Sequence, residues 1–158
     1  MLACNQSPGE YFTKAGRRAA EARGRRRKVK SEFMAAATTH LVIADDHPLF
    51  RNALRQAVTS VLAEAVVDEA GSFEDLTTLL EKDSEVDLVL LDLTMPGMEG
   101  PEVLERLRAD ERTAAVPVVL LTASTDEAAG LPADGVVAKP FSPLELADQV
   151  RTALGWEP

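Results

Sequence analysis

Five residues that could do chemistry together stand at the ends of apolar runs of the chain. LVIADD ends in Asp45 and Asp46, VDLVLLD in Asp92, VPVVLLT in Thr122, and GVVAK in Lys139, just before Pro140. Two carboxylates about 4 Å apart repel by ~4 kcal/mol at an effective dielectric near 20. Three acids gathered at one place therefore require a compensating cation. A hard divalent ion held by oxygen ligands meets that need, and magnesium suits it better than zinc because no His or Cys is read into the site. His47 follows the acid pair, but Pro48 fixes the chain there, so His47 reads as loop or capping structure. An ammonium at Lys139 beside metal and carboxylates suits a dianionic ligand such as a phosphoryl group, and Thr122 adds a hydroxyl. A carboxylate can itself take a phosphoryl group as nucleophile. Metal and lysine would then neutralise the transferring oxygens. Asp92, alone at the end of the most apolar run, is the candidate nucleophile, and the Asp45-Asp46 pair the candidate metal site.

Taken singly, each of these residues has an ordinary explanation. An Asp after a strand is commonly a cap or turn residue. The functional reading rests on their order, because an open parallel sheet places its ligand site at the carboxyl ends of its strands.

The elements that must position them alternate. Residues 41–44 form a continuous apolar run with Val and Ile, as a buried parallel strand requires. Pro48 opens a helix whose Phe50, Leu54, Ala57, Val58, Val61 and Leu62 share one face. Residues 65–68 form a shorter strand. Ser72, with Asp75 three residues on, caps a helix carrying Phe73, Leu76, Leu79 and Leu80. Residues 86–91 form the central strand and 96–100 a turn. Pro101 is placed as the first residue of a helix carrying Val103, Leu104 and Leu107. Strands follow at 116–121 and 136–138. Ser142-Pro143-Leu144-Glu145 reads as a capping box that starts a last helix through Leu154. The fourth unit is weak, since Gly130 and Pro132 leave barely two turns of helix after Thr122. Five βα units of this kind predict an α/β fold with right-handed crossovers and helices on both faces of the sheet.

The 158 residues suffice for one domain of ordinary size, and 46% are hydrophobic. No apolar stretch reaches the ~20 residues of a membrane span, and the N-terminus has no apolar core of signal-peptide length. MLAC ends like a lipoprotein cleavage site, yet nothing apolar precedes it. Cys4 is the single cysteine, which excludes an intrachain disulfide and fits a reducing, cytoplasmic setting. The net charge of −9 conceals an asymmetry. Residues 1–33 hold nine Lys/Arg and three acids, a surplus of +6 that leaves −15 on the rest. An acidic body argues against nucleic-acid binding by the folded part. Residues 1–38 read as a basic, solvated N-terminal extension, and 39–158 as the domain. Ser31-Glu32-Phe33 before Met34 also reads as a cloning junction, with Met34 the natural start.

ADDHPLFRNAL, VLLDLTMPGMEG, LLTAS and VVAKPFSP together resemble the receiver domains of bacterial two-component response regulators. The resemblance runs from about Leu41 to Leu154. DDHPLFR is most similar to the subfamily that couples a receiver to a helix-turn-helix DNA-binding domain. It implies a flavodoxin-like doubly wound sheet of five parallel strands in the order 2-1-3-4-5. It implies that Asp92 accepts a phosphoryl group from a sensor histidine kinase or phosphotransfer protein. Asp46 would ligate Mg2+ directly, Asp45 mainly through water, and Asp92 and the Thr94 carbonyl would complete the protein ligands. Thr122 would move to the phosphoryl group, Lys139 would pair with one of its oxygens, and the Lys139-Pro140 bond would be cis. The kinase would dock on the helix beginning near Pro48. Homodimerisation is a further implied mode of output, and DNA would be bound only through an output domain, which is not expected in this chain. No membrane partner is implied.

Two departures concern the output surface. The fourth helix is short, and Val136 stands where the family usually has Tyr or Phe. They motivate an alternative, a receiver-fold interaction module that no longer switches. A phosphatase passing through an aspartyl-phosphate would commonly carry an Asp at position 94, where this chain has Thr94, so a turnover enzyme is not expected.

Overall fold

The computed structural model describes residues 39–82 and 85–155. The basic N-terminal extension read over 1–38 lies outside them. Five strands, β1 (His40–Ala44), β2 (Val66–Ala70), β3 (Leu88–Asp92), β4 (Val118–Thr122) and β5 (Gly135–Ala138), form one sheet. Its order is β2-β1-β3-β4-β5, parallel throughout. This is the 2-1-3-4-5 arrangement expected. All five residues of β3 and of β4 are buried, which is why their sequences are unbroken apolar runs rather than alternating ones.

Five helices cover the sheet: α1 (Pro48–Val61), α2 (Phe73–Lys82), α3 (Gly100–Ala109), α4 (Thr125–Ala128) and α5 (Leu146–Ala153). Successive strand residues point to opposite faces, so the strands feed two cores. Leu41, Ile43, Leu88, Leu90, Val119 and Leu121 pack with Leu54 and Val58 of α1 and with Leu146 and Val150 of α5. Val42, Val89, Leu91, Val118 and Leu120 pack with Leu76 of α2, Val103 and Leu104 of α3, and Ala128 of α4. Truncating a fully buried residue such as Leu90 to Ala would cost about 2–5 kcal/mol. No helix among the described residues is long and apolar enough to cross a membrane.

The structure revises several local expectations. Ser142 makes no side-chain cap bond. Pro143–Glu145 is instead a 3-10 turn closed by the Glu145 N–H on the Ser142 carbonyl, and α5 begins after it. A proline there favours a tight turn as readily as a first helical residue, and only the tertiary setting decides. The turn expected at 96–100 is the tip of a two-residue antiparallel ladder, Thr94–Met95 against Met98–Glu99. Gly97 makes its reversal at φ +90°, a conformation cheap only for glycine. Helix α3 starts at Gly100, one residue before Pro101. A Cβ at Gly100 would lie 2.6 Å from the Leu93 carbonyl oxygen. Only glycine lets the chain fold back so closely onto the end of β3. The Ser72 cap is present as expected, its Oγ accepting the Asp75 N–H at 3.1 Å.

Helix α4 is a single turn of four residues. The chain around it is fastened by Arg108 of α3, whose guanidinium donates to the carbonyls of Pro132, Ala114 and Val116 and to Asp134 Oδ2 at 2.7 Å. That same oxygen accepts the Val118 N–H at 2.8 Å. Asp134 is nearly fully buried, and its backbone N–H bonds the Val118 carbonyl.

Candidate functional site

The strand register brings the sequence-selected residues to one rim. Ala44 pairs with Leu91, so Asp45 and Asp92 leave neighbouring strands side by side. Asp92 pairs with Leu121, one residue before Thr122, and Thr122 pairs with Ala138, one residue before Lys139. The three central runs end level because the helices on both faces bury residues 41–44, 88–91 and 118–121, and the first polar positions follow at or just beyond that line.

Lys139 Nζ is the centre of the cluster. It lies 3.4 Å from Asp45 Oδ2 and 3.2 Å from Asp92 Oδ1. It also stands 4.6 Å from the centroid of the Phe50 ring, which packs obliquely on Phe141 at 5.7 Å. The Lys139-Pro140 peptide bond is cis. The Thr94 N–H donates to Asp92 Oδ1 at 3.2 Å. Asp45 is fully buried, and its Oδ1 accepts the His47 N–H at 2.7 Å. Behind it, Arg51 of α1 donates from Nη1 to the Asp45 carbonyl and from Nε to Glu69 on β2 at 3.3 Å. Glu69 also takes Arg55 at 3.2 Å. The edge strand and α1 thus hold the first acid of the pair in place.

Burial pushes the Asp92 carboxyl above the ordinary carboxylate range, and the nearby Asp45 charge adds to that. The Thr94 N–H and the Lys139 ammonium oppose it without cancelling it. Three carboxylates against one lysine leave an excess of negative charge in a place where solvent screens little. Asp46 Oδ1 shows the consequence: it is shut off from solvent and makes no hydrogen bond, though the His47 ring nitrogen stands beside it. A solvent-excluded carboxylate oxygen with no donor, beside two further acids, fits a divalent cation with oxygen ligands.

The structure brings together Asp45, Asp46, Asp92 and Lys139. Thr122 is buried on the same rim, but its hydroxyl is engaged by Ser124, donating to that residue's carbonyl at 3.2 Å and accepting its N–H at 3.0 Å. Thr94 touches Asp92 through its N–H. His47 corrects the sequence reading. It does precede α1 at the cap position, yet its side chain makes no cap bond. Its Nδ1 lies 2.9 Å from Asp46 Oδ1 and 3.3 Å from Asp45 Oδ1. A histidine therefore accompanies the acids after all, because the bend before Pro48 returns the ring over them. Phe50 was legible only as an apolar position, and the oblique start of α1 is what carries its ring to Lys139.

The sequence matches the response regulator receiver domain family over residues 41–151. The DNA-binding response regulator MtrA of Mycolicibacterium smegmatis is 40% identical over 121 residues, covering 72% of this chain and 50% of that protein. The nitrate/nitrite response regulator protein NarL of Escherichia coli is 34% identical over 122 residues, covering 74% and 55% respectively. The chain thus spans about half the length of these curated relatives. Among solved structures, the chemotaxis response regulator CheY4 of Vibrio cholerae superposes with a TM-score of 0.66 at 22% identity. That alignment covers 75% of this chain and all of that one, a likeness of fold. With its five parallel strands in this order and its acids and lysine gathered at their carboxyl ends, the chain belongs to the response regulator receiver domain family.

Proposed function

We propose that this chain is a phosphorylation-dependent signalling switch in which Asp92 accepts a phosphoryl group from a phosphohistidine of a sensor kinase or phosphotransfer protein. Receiver domains serve signalling and are not turnover enzymes, and that much follows from the family. The assignment of roles rests on one observation: a single ammonium, Lys139 Nζ, lies 3.2 Å from Asp92 Oδ1 and 3.4 Å from Asp45 Oδ2.

An Asp92 carboxylate oxygen attacks phosphorus, the P–N bond to the donor imidazole breaks, and the imidazole leaves with the bond's electrons. Burial without full neutralisation keeps the attacking oxygen poorly solvated. Lys139, already at hydrogen-bond range of that carboxylate, follows the charge onto the phosphoryl oxygens. The Thr94 N–H holds the acid's orientation. Thr122 needs only to release its turn with Ser124 to offer its hydroxyl to the same group. Asp45, Asp46, Asp92 and the Thr94 carbonyl would hold a Mg2+ ion, which when bound supplies positive charge to the transferring oxygens.

Acetyl phosphate with Mg2+ should phosphorylate the chain, detected as added mass, and Asp92→Asn should abolish it. Uptake by that variant at the parent rate would overturn the assignment. The single-turn α4 and the half-buried Val136 favour a second reading, an interaction module whose surface does not respond. Chemical shifts with and without beryllofluoride separate the two. Changes that reach α4 and β5 support switching, and changes confined to the rim support the module. A cytoplasmic setting, a homodimer and a DNA-binding output domain elsewhere in the full protein complete the proposal.

A further inference from the structure

We infer that His47 makes the acid rim a mixed nitrogen-and-oxygen site that takes a borderline divalent transition-metal ion, such as nickel or zinc, in competition with magnesium. This rests on the reading of the rim as a divalent-cation site and adds a ligand to it.

Ligand-capable atoms of Asp45, Asp46, His47 and Asp92 all lie within 4.8 Å of one another. The spacing around His47 has the size of a coordination shell. Two ligands bound to one ion at about 2.1 Å stand about 3.0 Å apart at right angles and about 3.4 Å apart at the tetrahedral angle. His47 Nδ1 lies 2.9 Å from Asp46 Oδ1 and 3.3 Å from Asp45 Oδ1. Asp46 Oδ1 is shut off from solvent and makes no hydrogen bond. Lys139 takes the other oxygen of Asp45, Oδ2, and not the two oxygens that face the ring.

The ring is held by the acids themselves, Nδ1 lying on Asp45 Oδ1 and Asp46 Oδ1, the two oxygens that an ion bound there would share with it. The His47 side chain is 72% exposed and caps no helix. Its backbone is fixed, the N–H on Asp45 Oδ1 at 2.7 Å and Pro48 following, so the imidazole is held over the acids at little entropic cost. Imidazole is a good ligand for nickel, copper and zinc and a poor one for magnesium, which prefers oxygen and keeps its water. His47 therefore raises affinity for the first group selectively, and the rim becomes sensitive to which divalent ion is present.

Calorimetric titration of the untagged full chain, in a Cys4→Ser background that removes its only thiol, tests this with NiCl2 and MgCl2. His47→Ala should weaken nickel binding at least tenfold and leave magnesium binding within twofold. The visible absorption of the cobalt-loaded protein should shift in the same variant. His40→Gln, at the other end of β1 where His40 pairs with Asp68 at 2.8 Å, should change neither. Nickel binding within twofold of the parent in His47→Ala, or an equal loss in His40→Gln, overturns the inference. Neither result bears on phosphorylation. Failure of the parent to bind Mg2+ or to react with acetyl phosphate would overturn the functional proposal while leaving the His47 dependence of nickel binding readable.

Discussion

Two buried ionic clusters sit at different places in this fold, and they are built on opposite principles. At the α3–β5 side, Arg108 meets Asp134 and three backbone carbonyls, and Asp134 also takes the Val118 N–H. One positive charge faces one negative charge, and their hydrogen-bonding groups are matched. At the rim, three carboxylates face one lysine, one acid is pushed above its ordinary range, and one solvent-excluded oxygen makes no hydrogen bond, with only the His47 ring beside it. A balanced cluster lowers the free energy of the fold. An imbalance raises it, and persists where something outside the chain completes it. Charge balance therefore separates structural from functional ion pairs better than burial does, since both clusters are buried.

Removing half of the balanced pair should have the largest effect. Arg108→Ala takes the buried cation from Asp134, which keeps the Val118 N–H, and a donor from three carbonyls, and should lower unfolding free energy by about 3 kcal/mol, measured by urea denaturation. A loss under about 1 kcal/mol would break the comparison. The rim should respond with the opposite sign. Asp92→Asn removes an acid whose ionisation is disfavoured in the fold, so in EDTA it should raise the urea midpoint above that of the parent. Because the native carboxyl titrates above its unfolded value, wild type carries no penalty below the unfolded pKa. The penalty grows as pH rises through the carboxylate range and then levels off, so the variant's advantage should follow that curve and shrink when Mg2+ is added. Lys139→Met removes the one competing cation. It should tighten Mg2+ binding severalfold by calorimetry while slowing phosphorylation by acetyl phosphate. The smallest effect belongs to Phe50→Leu, which removes the ring under Lys139 and should cost about 0.5–1 kcal/mol.

The sheet and the level of its strand ends were legible because fully buried parallel strands must be written as apolar runs, and the residue that ends each run is conspicuous. Asp45, Asp46, Asp92 and Lys139 were found that way. The weak fourth helix was also legible, since Gly130 and Pro132 cannot continue one. What escaped had no pattern to carry it. Asp134 looks like any loop aspartate, and its partner Arg108 lies 26 residues away on a helix face. The proline after His47 reads in the sequence as a reason to keep its ring out of the site, yet that ring lies against the acids. The two-residue ladder after β3 is too short for any periodicity, and the 3-10 entry to α5 uses the same Ser and Pro as an ordinary helix start.

The tether from Asp45 to the edge of the sheet has a use. Arg51 joins the carbonyl of Asp45 to Glu69, a side chain whose bonds go to Arg51 and Arg55. Replacing Glu69 would loosen the anchor without altering a single prospective ligand. Position 69 thus offers an engineer a remote dial on how tightly the pocket grips its ion.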